Sequence, residues 1–242
     1  MTIVVKDVHF DYGKVAVLKS VSCTLETGFN VLLGPNGAGK STLFSLLTGL
    51  SPIQKGEIGY GQLSLNHNRP KVLSQLGAVF QQSTLDLDLT VKQNLIYHAS
   101  LHGLHIDSAL KNIKDMLCDL QISERLNDRV RTLNGGHRRR LEIVRAMMHK
   151  PHYLLLDEPT VGLDNESRNL ILSHIRNLAT QHGLCVLWMT HLMDEVSLED
   201  SLIVLNRGHV KAKGRAQTLC ETHGVRDVHQ LYRKLTDCVG LA

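Results

Sequence analysis

The chain has 242 residues, with 27 Lys+Arg against 23 Asp+Glu and a formal net charge of +4. Its 43% hydrophobic and 21% charged residues are the proportions of a folded globular chain, which excludes disorder and fibrous repeats. No stretch reaches the roughly 18 consecutive apolar residues of a membrane-spanning helix, and the start, Met1-Thr-Ile-Val-Val, lacks the basic and apolar regions of a secretory signal. The five cysteines (Cys23, Cys118, Cys185, Cys220, Cys238) are widely spaced and include no C-x-x-C pair. Neither a disulfide framework nor a zinc ribbon is therefore expected, and a reducing cytosol is the simplest address.

In chain order, Ile3-Val-Val-Lys-Asp-Val-His-Phe mixes β-branched and polar residues as a strand does, and Val15–Leu18 and Val21–Leu25 read as two further short strands. The run Phe29 to Leu33, read as apolar on both faces, fits a buried parallel strand. It meets a glycine-rich turn, and Ser41 onward carries helical spacing as far as Gly49. From Thr84 to Lys150 the pattern is helical. Thr90-x-x-Gln93 forms a capping box, and Leu110, Ile113, Leu117 and Leu120 form one amphipathic stripe. Tyr153–Leu156, Leu184–Met189 and Leu202–Leu205 are further apolar strands. Asp164 can cap a helix in which Leu170, Ile171, His174, Ile175 and Leu178 share a face, and Asn206-Arg207-Gly208 turns the chain into a hairpin. Strands alternating with helices predict an α/β fold with a mostly parallel sheet. The expected organisation is one domain over 1–242, with a core of about 1–83 and 151–242 and a helical subdomain of about 84–150.

Gly34-Pro35-Asn36-Gly37-Ala38-Gly39-Lys40-Ser41 matches G-x-x-x-x-G-K-[ST] between a strand and a helix, the context that gives this pattern meaning. The glycines let successive N–H groups point at phosphate oxygens, with the start of the helix adding its positive end. Lys40 is placed to neutralise the β- and γ-phosphates and Ser41 to ligate Mg²⁺. The strand Leu154-Leu-Leu ends in Asp157 and Glu158, two carboxylates where ligands of such sheets bind. Asp157 is the candidate Mg²⁺ ligand and Glu158 the candidate base for an attacking water.

Together these residues resemble the ATP-binding-cassette (ABC) ATPases, over essentially the whole chain and in the family's order. The resemblance implies a P-loop NTPase core with a small N-terminal antiparallel β part and an inserted helical subdomain. It also implies ATP and Mg²⁺ as cofactors. The nucleotide contacts extend through Thr42, and Tyr12 matches the aromatic that stacks on adenine. Gln81 matches the glutamine that reaches Mg²⁺ and the attacking water, and His191 the histidine at the γ-phosphate. Leu133-Asn134-Gly135-Gly136-His137 stands in the place of the signature usually written LSGGQ, with Asn134 for its serine and His137 for its glutamine. Asp164, in Val161-Gly-Leu-Asp, matches the loop that crosses to the facing subunit.

The family pattern further implies a homodimer or a paired ATPase subunit, a separate transmembrane permease, and a peripheral position on the cytoplasmic face of the membrane. The stretch after Gln81 and the Leu101-His-Gly-Leu104 region resemble the exporter-type branch that includes drug-efflux and nodulation-factor cassettes. On the same resemblance, a cassette without the regulatory domain of many sugar importers is expected to serve export. The competing readings are a soluble ABC ATPase of translation or DNA maintenance and a weakly hydrolysing regulatory module. The first lacks a second cassette or coiled-coil insertion here, and Glu158 and His191 argue against the second.

The basic cluster Arg138-Arg139-Arg140 with Arg145 suggests nucleic acid, but only 4% of residues are aromatic and direct nucleic-acid binding is not expected. His98 and His102 stand at metal-compatible i, i+4 spacing, with His105 beyond them. Gly103 interrupts and no acidic residue matches, so these histidines read as exposed polar side chains. Trp188 reads as core.

Overall fold

A computed structural model describes residues 1–236; Cys238 lies outside the described residues. The chain runs β1 (Ile3–Tyr12), β2 (Val15–Leu25), β3 (Gly28–Leu33), α1 (Lys40–Leu47), β4 (Lys55–Tyr60), β5 (Leu63–Ser64), α2 (Arg69–Leu73) and β6 (Leu76–Val79). Next come α3 (Val91–Leu101), α4 (Ile106–Asn112), α5 (Lys114–Asp119), α6 (Gly135–Met147), β7 (Tyr153–Asp157) and α7 (Asn165–Gln181). The last part is β8 (Cys185–Thr190), β9 (Ser201–Asn206), β10 (His209–Arg215), α8 (Ala216–Thr222) and α9 (Val228–Thr236).

Two sheets form. One is antiparallel, in the order β2-β1-β4-β5. The other, β10-β9-β3-β8-β7-β6, is parallel except for the β9–β10 hairpin. In the parallel sheet Tyr153, Leu155, Leu187 and Met189 pack toward the antiparallel sheet and α1. Their neighbours Leu154, Leu156, Val186 and Trp188 pack among helices α3 to α7. Burial on both faces is why these strands read as unbroken apolar runs. Val31, Leu33, Leu202 and Val204 are covered by α8 and α9. No helix among the described residues is long and apolar enough to cross a membrane.

Several expectations are corrected. The two short strands at 15–25 are one strand, and the interruption is a bulge shared with β1. Asp7 and Ser20 both take left-handed backbone (φ 45° and 56°), and the Ser20 hydroxyl donates to the Asp7 carboxylate at 2.5 Å. The run Phe29–Leu33 is not wholly apolar. Asn30 is buried within it and is satisfied by donating to the carbonyls of Glu26, Gly28 and Val186. The stripe from Leu110 to Leu120 belongs to two short helices, because Ile113 leaves helical geometry at φ −110°, ψ 6°. Its buried face survives the break, since Ile113, Leu117 and Leu120 all enter the core. The capping box forms in full: Thr90 accepts from the Gln93 N–H, and Gln93 returns an acceptor to the Thr90 N–H. Trp188 is fully buried, its indole N–H donating to Glu195.

Candidate functional site

The turn after β3 is shaped by what lies against it. A Cβ on Gly34 would stand 2.4 Å from the Leu205 carbonyl oxygen. Gly39 takes φ 104° and faces Leu18 and Val17 of β2. Neither position tolerates a side chain, so the loop 34–39 is held close between β2 and β9. The Gly208 N–H donates to the Ala38 carbonyl and the Gly34 N–H to that of Thr190, which fixes both ends of the loop. Asn36 and Gly37 are exposed at its crest, Pro35 and Thr42 are half-buried, and Ser41 is exposed on the first turn of α1.

Lys40 is buried, and its ammonium donates to the carbonyls of Gly34 (2.8 Å) and Pro35 (3.2 Å). The same ammonium lies 3.2 Å from Glu158 Oε1. Glu158 follows the last residue of β7 with φ 47°, a left-handed conformation that is strained for a non-glycine residue and is held by its N–H donating to the Met189 carbonyl. Gln81 donates its amide to Glu158 Oε2 at 3.2 Å, and His191 Nδ1 lies 3.1 Å from Glu158 Oε1. Three candidates read from distant parts of the sequence thus converge on one carboxylate: Lys40 after β3, Gln81 after β6 and His191 after β8.

Asp157 is buried beside them. Burial pushes its carboxyl above the usual carboxylate range, partly offset by the Ser41 hydroxyl and the Lys40 and Arg139 charges. Its Oδ1 has no hydrogen-bond partner among the described residues. A buried carboxylate oxygen without a partner, with a serine hydroxyl near the same carboxyl, is a donor set suited to a hard divalent cation such as Mg²⁺.

The remaining candidates lie apart from this cluster. Tyr12 ends β1 with an exposed ring, edge-on to Phe10 at 4.9 Å. Asn134 caps α6, its side-chain oxygen accepting from the His137 N–H at 2.8 Å, with His137 Nδ1 2.7 Å away. The two residues that depart from the common signature are therefore a bonded pair. A Cβ on Gly136 would lie 2.6 Å from Ser167 Oγ, whereas Gly135 has space around it. Asp164 caps α7 by accepting from the Ser167 N–H and hydroxyl, and these bonds hold its carboxyl below the usual range. Among the described residues, none of the hydrogen bonds or ion pairs of Asn134, His137 and Asp164 reaches the phosphate loop.

Residue-level reading of the sequence misses Arg139. Its guanidinium is buried and donates to the carbonyls of Phe80 (2.5 Å) and Gln81 (2.8 Å) and to Glu142 (3.0 Å). Glu142 in turn accepts from the Thr84 N–H, and Arg145 donates to the Thr84 carbonyl. Arg140 is buried as well and donates to the Leu120 carbonyl and to Gln121. Much of the basic cluster is thus internal scaffolding, with α6 gripping the loop that carries Gln81. No local pattern signals this, because the partners are about 60 residues away in sequence (|i−j| = 58 and 59).

A glycine-rich loop between a parallel strand and a helix, with two carboxylates at the end of β7, one strand beyond its neighbour β8, is the pattern of a P-loop nucleotide-binding protein. The model of the family described as "ABC transporter" matches residues 18–161. The linearmycin resistance ATP-binding protein LnrL of Bacillus subtilis is 37% identical over 222 residues, covering 91% of this chain and 71% of that protein. The Nod factor export ATP-binding protein I of Sinorhizobium fredii is 35% identical over 241 residues, 97% of this chain and 70% of that protein. A solved ATP-binding subunit of an ABC transporter superposes with a TM-score of 0.87 at 26% identity, over 97% of this chain and 99% of that one. The fold is also shared, at 24% identity and a TM-score of 0.80, with cbiO1 of Clostridium perfringens. The chain belongs to the ABC transporter family, as one of its ATP-binding subunits.

Proposed function

We propose that this subunit hydrolyses ATP with Mg²⁺ and powers export through a separate membrane permease. The observation that carries the reading is the convergence of Lys40, Gln81 and His191 on Glu158 beside the phosphate loop. Glu158 is the base that takes a proton from the attacking water, and its strained backbone aims the carboxylate at the loop. His191 and Gln81 orient that carboxylate and the water. The loop from Gly34 through Ser41 holds the phosphates with the N–H groups it leaves free, together with Lys40 and Thr42, while Tyr12 offers its exposed ring to the base. Ser41, Asp157 and Gln81 would hold Mg²⁺, which would supply charge neutralisation for the transferring phosphate.

Asn134, Gly135, Gly136, His137 and Asp164 serve the nucleotide of a facing subunit, so the working unit is a homodimer or a pair with a related chain. The helical part from about 84 to 150 acts as the signature subdomain on a core of about 1–83 and 151–242. Export is supported by the relatives named for Nod factor export and for linearmycin resistance. The subunit then works at the cytoplasmic face of the membrane, attached through the permease.

Glu158→Gln tests the chemistry. The variant is expected to bind ATP as before, lose turnover and accumulate as an ATP-stabilised dimer on size-exclusion chromatography. Turnover at the unmutated rate would remove Glu158 as the base. For the partner, affinity isolation from detergent-solubilised membranes with and without ATP is expected to recover a multi-span permease. Recovery of ribosomes or nucleic acid would overturn the transport role.

A further inference from the structure

We propose that His98, His102 and His149 form a binding site for a borderline divalent transition-metal ion of the zinc class, away from the ATP site. His98 and His102 stand one turn apart at the end of α3, while His149 follows α6 just before β7. One ring nitrogen from each lies within 4.8 Å of the others. The His98 and His102 rings are 4.7 Å apart, and those of His102 and His149 stack at 4.1 Å.

What makes this a ligand set rather than a chance cluster is the hydrogen bonding. His149 Nε2 lies 3.1 Å from the Leu76 carbonyl, which can only accept, so Nε2 carries the ring proton and Nδ1 presents a bare lone pair. That Nδ1 is buried and has no partner among the described residues, and His98 Nε2 is in the same position. A ring N–H tied to a backbone carbonyl, with the opposite nitrogen free, is how metal-ligating histidines are usually oriented. The Arg145 charge near His98 opposes a cation and is partly offset by the Glu142 carboxylate beside it.

Neutral imidazoles suit zinc, nickel, copper or cobalt, whereas Mg²⁺ prefers oxygen, so the two sites are chemically separate. Metal–nitrogen bonds of about 2.0–2.1 Å require the nitrogens to close in. The exposed His102 is free to supply that movement by turning out of its stack on His149. Three histidines leave a fourth position for water. The bound ion would join the end of α3 to the segment between α6 and β7, tying the helical layer to the parallel sheet.

The test is titration of the full-length protein with Co²⁺ and with Zn²⁺ in excess Mg²⁺, read by visible absorption, calorimetry and thermal melting. One ion per chain, a tetrahedral cobalt spectrum without a sulfur-to-cobalt band, and a metal-dependent rise in Tm are expected. Affinity should fall at least tenfold in His149→Gln and in His102→Gln. The latter alters an exposed side chain and so keeps the comparison valid if the former unfolds. No stoichiometric binding, a sulfur-to-cobalt band, or unchanged affinity in His102→Gln would each overturn the proposal.

Discussion

Glu158 depends on neighbours that do not touch substrate themselves, and Arg139 is the clearest of them. By fixing the Phe80 and Gln81 carbonyls, Arg139 sets where the Gln81 amide meets Glu158. Lysine keeps the charge beside Glu142 but cannot reach two carbonyls with one planar fork. Arg139→Lys is therefore expected to lower kcat by about ten- to a hundredfold with little change in KM for ATP, since a displacement of about 1 Å is enough for such a loss. A parallel change in both constants, or none, would sink the positioning role.

A second prediction at this scale concerns His174 on α7. Burial holds its pKa below the ordinary value, against the nearby Asp119 carboxylate 3.8 Å away, with His182 acting in the same direction as burial. The folded state thus favours the neutral ring. Its contribution to stability is complete above the unfolded pKa of about 6.5 and is lost as pH falls through that value toward the folded one. The wild-type Tm should consequently drop more steeply between about pH 7.5 and 5.5 than that of His174→Gln; parallel slopes would rule the residue out as a source of acid sensitivity.

Among the elements, α3 is set by its start. Removing the hydroxyl in Thr90→Val breaks the half of the capping box in which Thr90 accepts from the Gln93 N–H, leaves the Thr90 N–H on the Gln93 side chain, and should cost about 1 kcal/mol, which for a chain of this size lowers Tm by about 2–4 °C. The β9–β10 turn is constrained differently. Arg207 and Gly208 both take positive φ (50° and 79°), as a two-residue hairpin turn requires. A Cβ on Gly208 would also meet the Val17 carbonyl oxygen at 2.1 Å. Gly208→Ala should therefore destabilise more than Thr90→Val and weaken ATP binding, because the Gly208 N–H anchors the Ala38 carbonyl of the phosphate loop; equal Tm losses would argue against that clash.

Elements with strong local signals were legible. Thr90 and Gln93 announce a helix start within four residues, and Tyr153–Leu156 announces a buried strand by having no polar side. The stripe from Leu110 to Leu120 shows the limit of periodicity, because it reports the buried face and not the continuity of the backbone, which breaks at Ile113. The strands β4 and β6 were not anticipated. β4 carries Lys55, Gly56, Glu57 and Gly59 among few apolar residues, and β6 is only four residues long. Their pairing with β1 and β7 defines them, and that is long-range information.

At the scale of the whole molecule, none of the hydrogen bonds of Asn134, His137 and Asp164 among the described residues reaches the chain's own phosphate loop, and the proposed function gives these residues to the nucleotide of a facing subunit. This predicts complementation. Lys40→Ala is expected to disable the phosphate loop and Gly135→Asp the signature, the latter at a position where a Cβ meets only Leu163 at 3.7 Å and avoids the Gly136 clash with Ser167. Each variant alone should be inactive, while an equimolar mixture should regain part of the turnover through mixed dimers holding one intact composite site. No recovery in mixtures shown to exchange subunits would contradict the composite site.

The sequence by itself determined the phosphate loop and the carboxylate pair. Each is a short contiguous motif whose chemistry follows from residue type and spacing, and the family order of the motifs follows from reading them along the chain. Only the tertiary structure decided that Arg139 grips the Gln81 loop, that Asn134 and His137 are partners, and that His149 joins His98 and His102. Those contacts depend on which helix face packs against which loop. The burial that leaves Asp157 and the histidine nitrogens without partners exists only once the layers have closed over them.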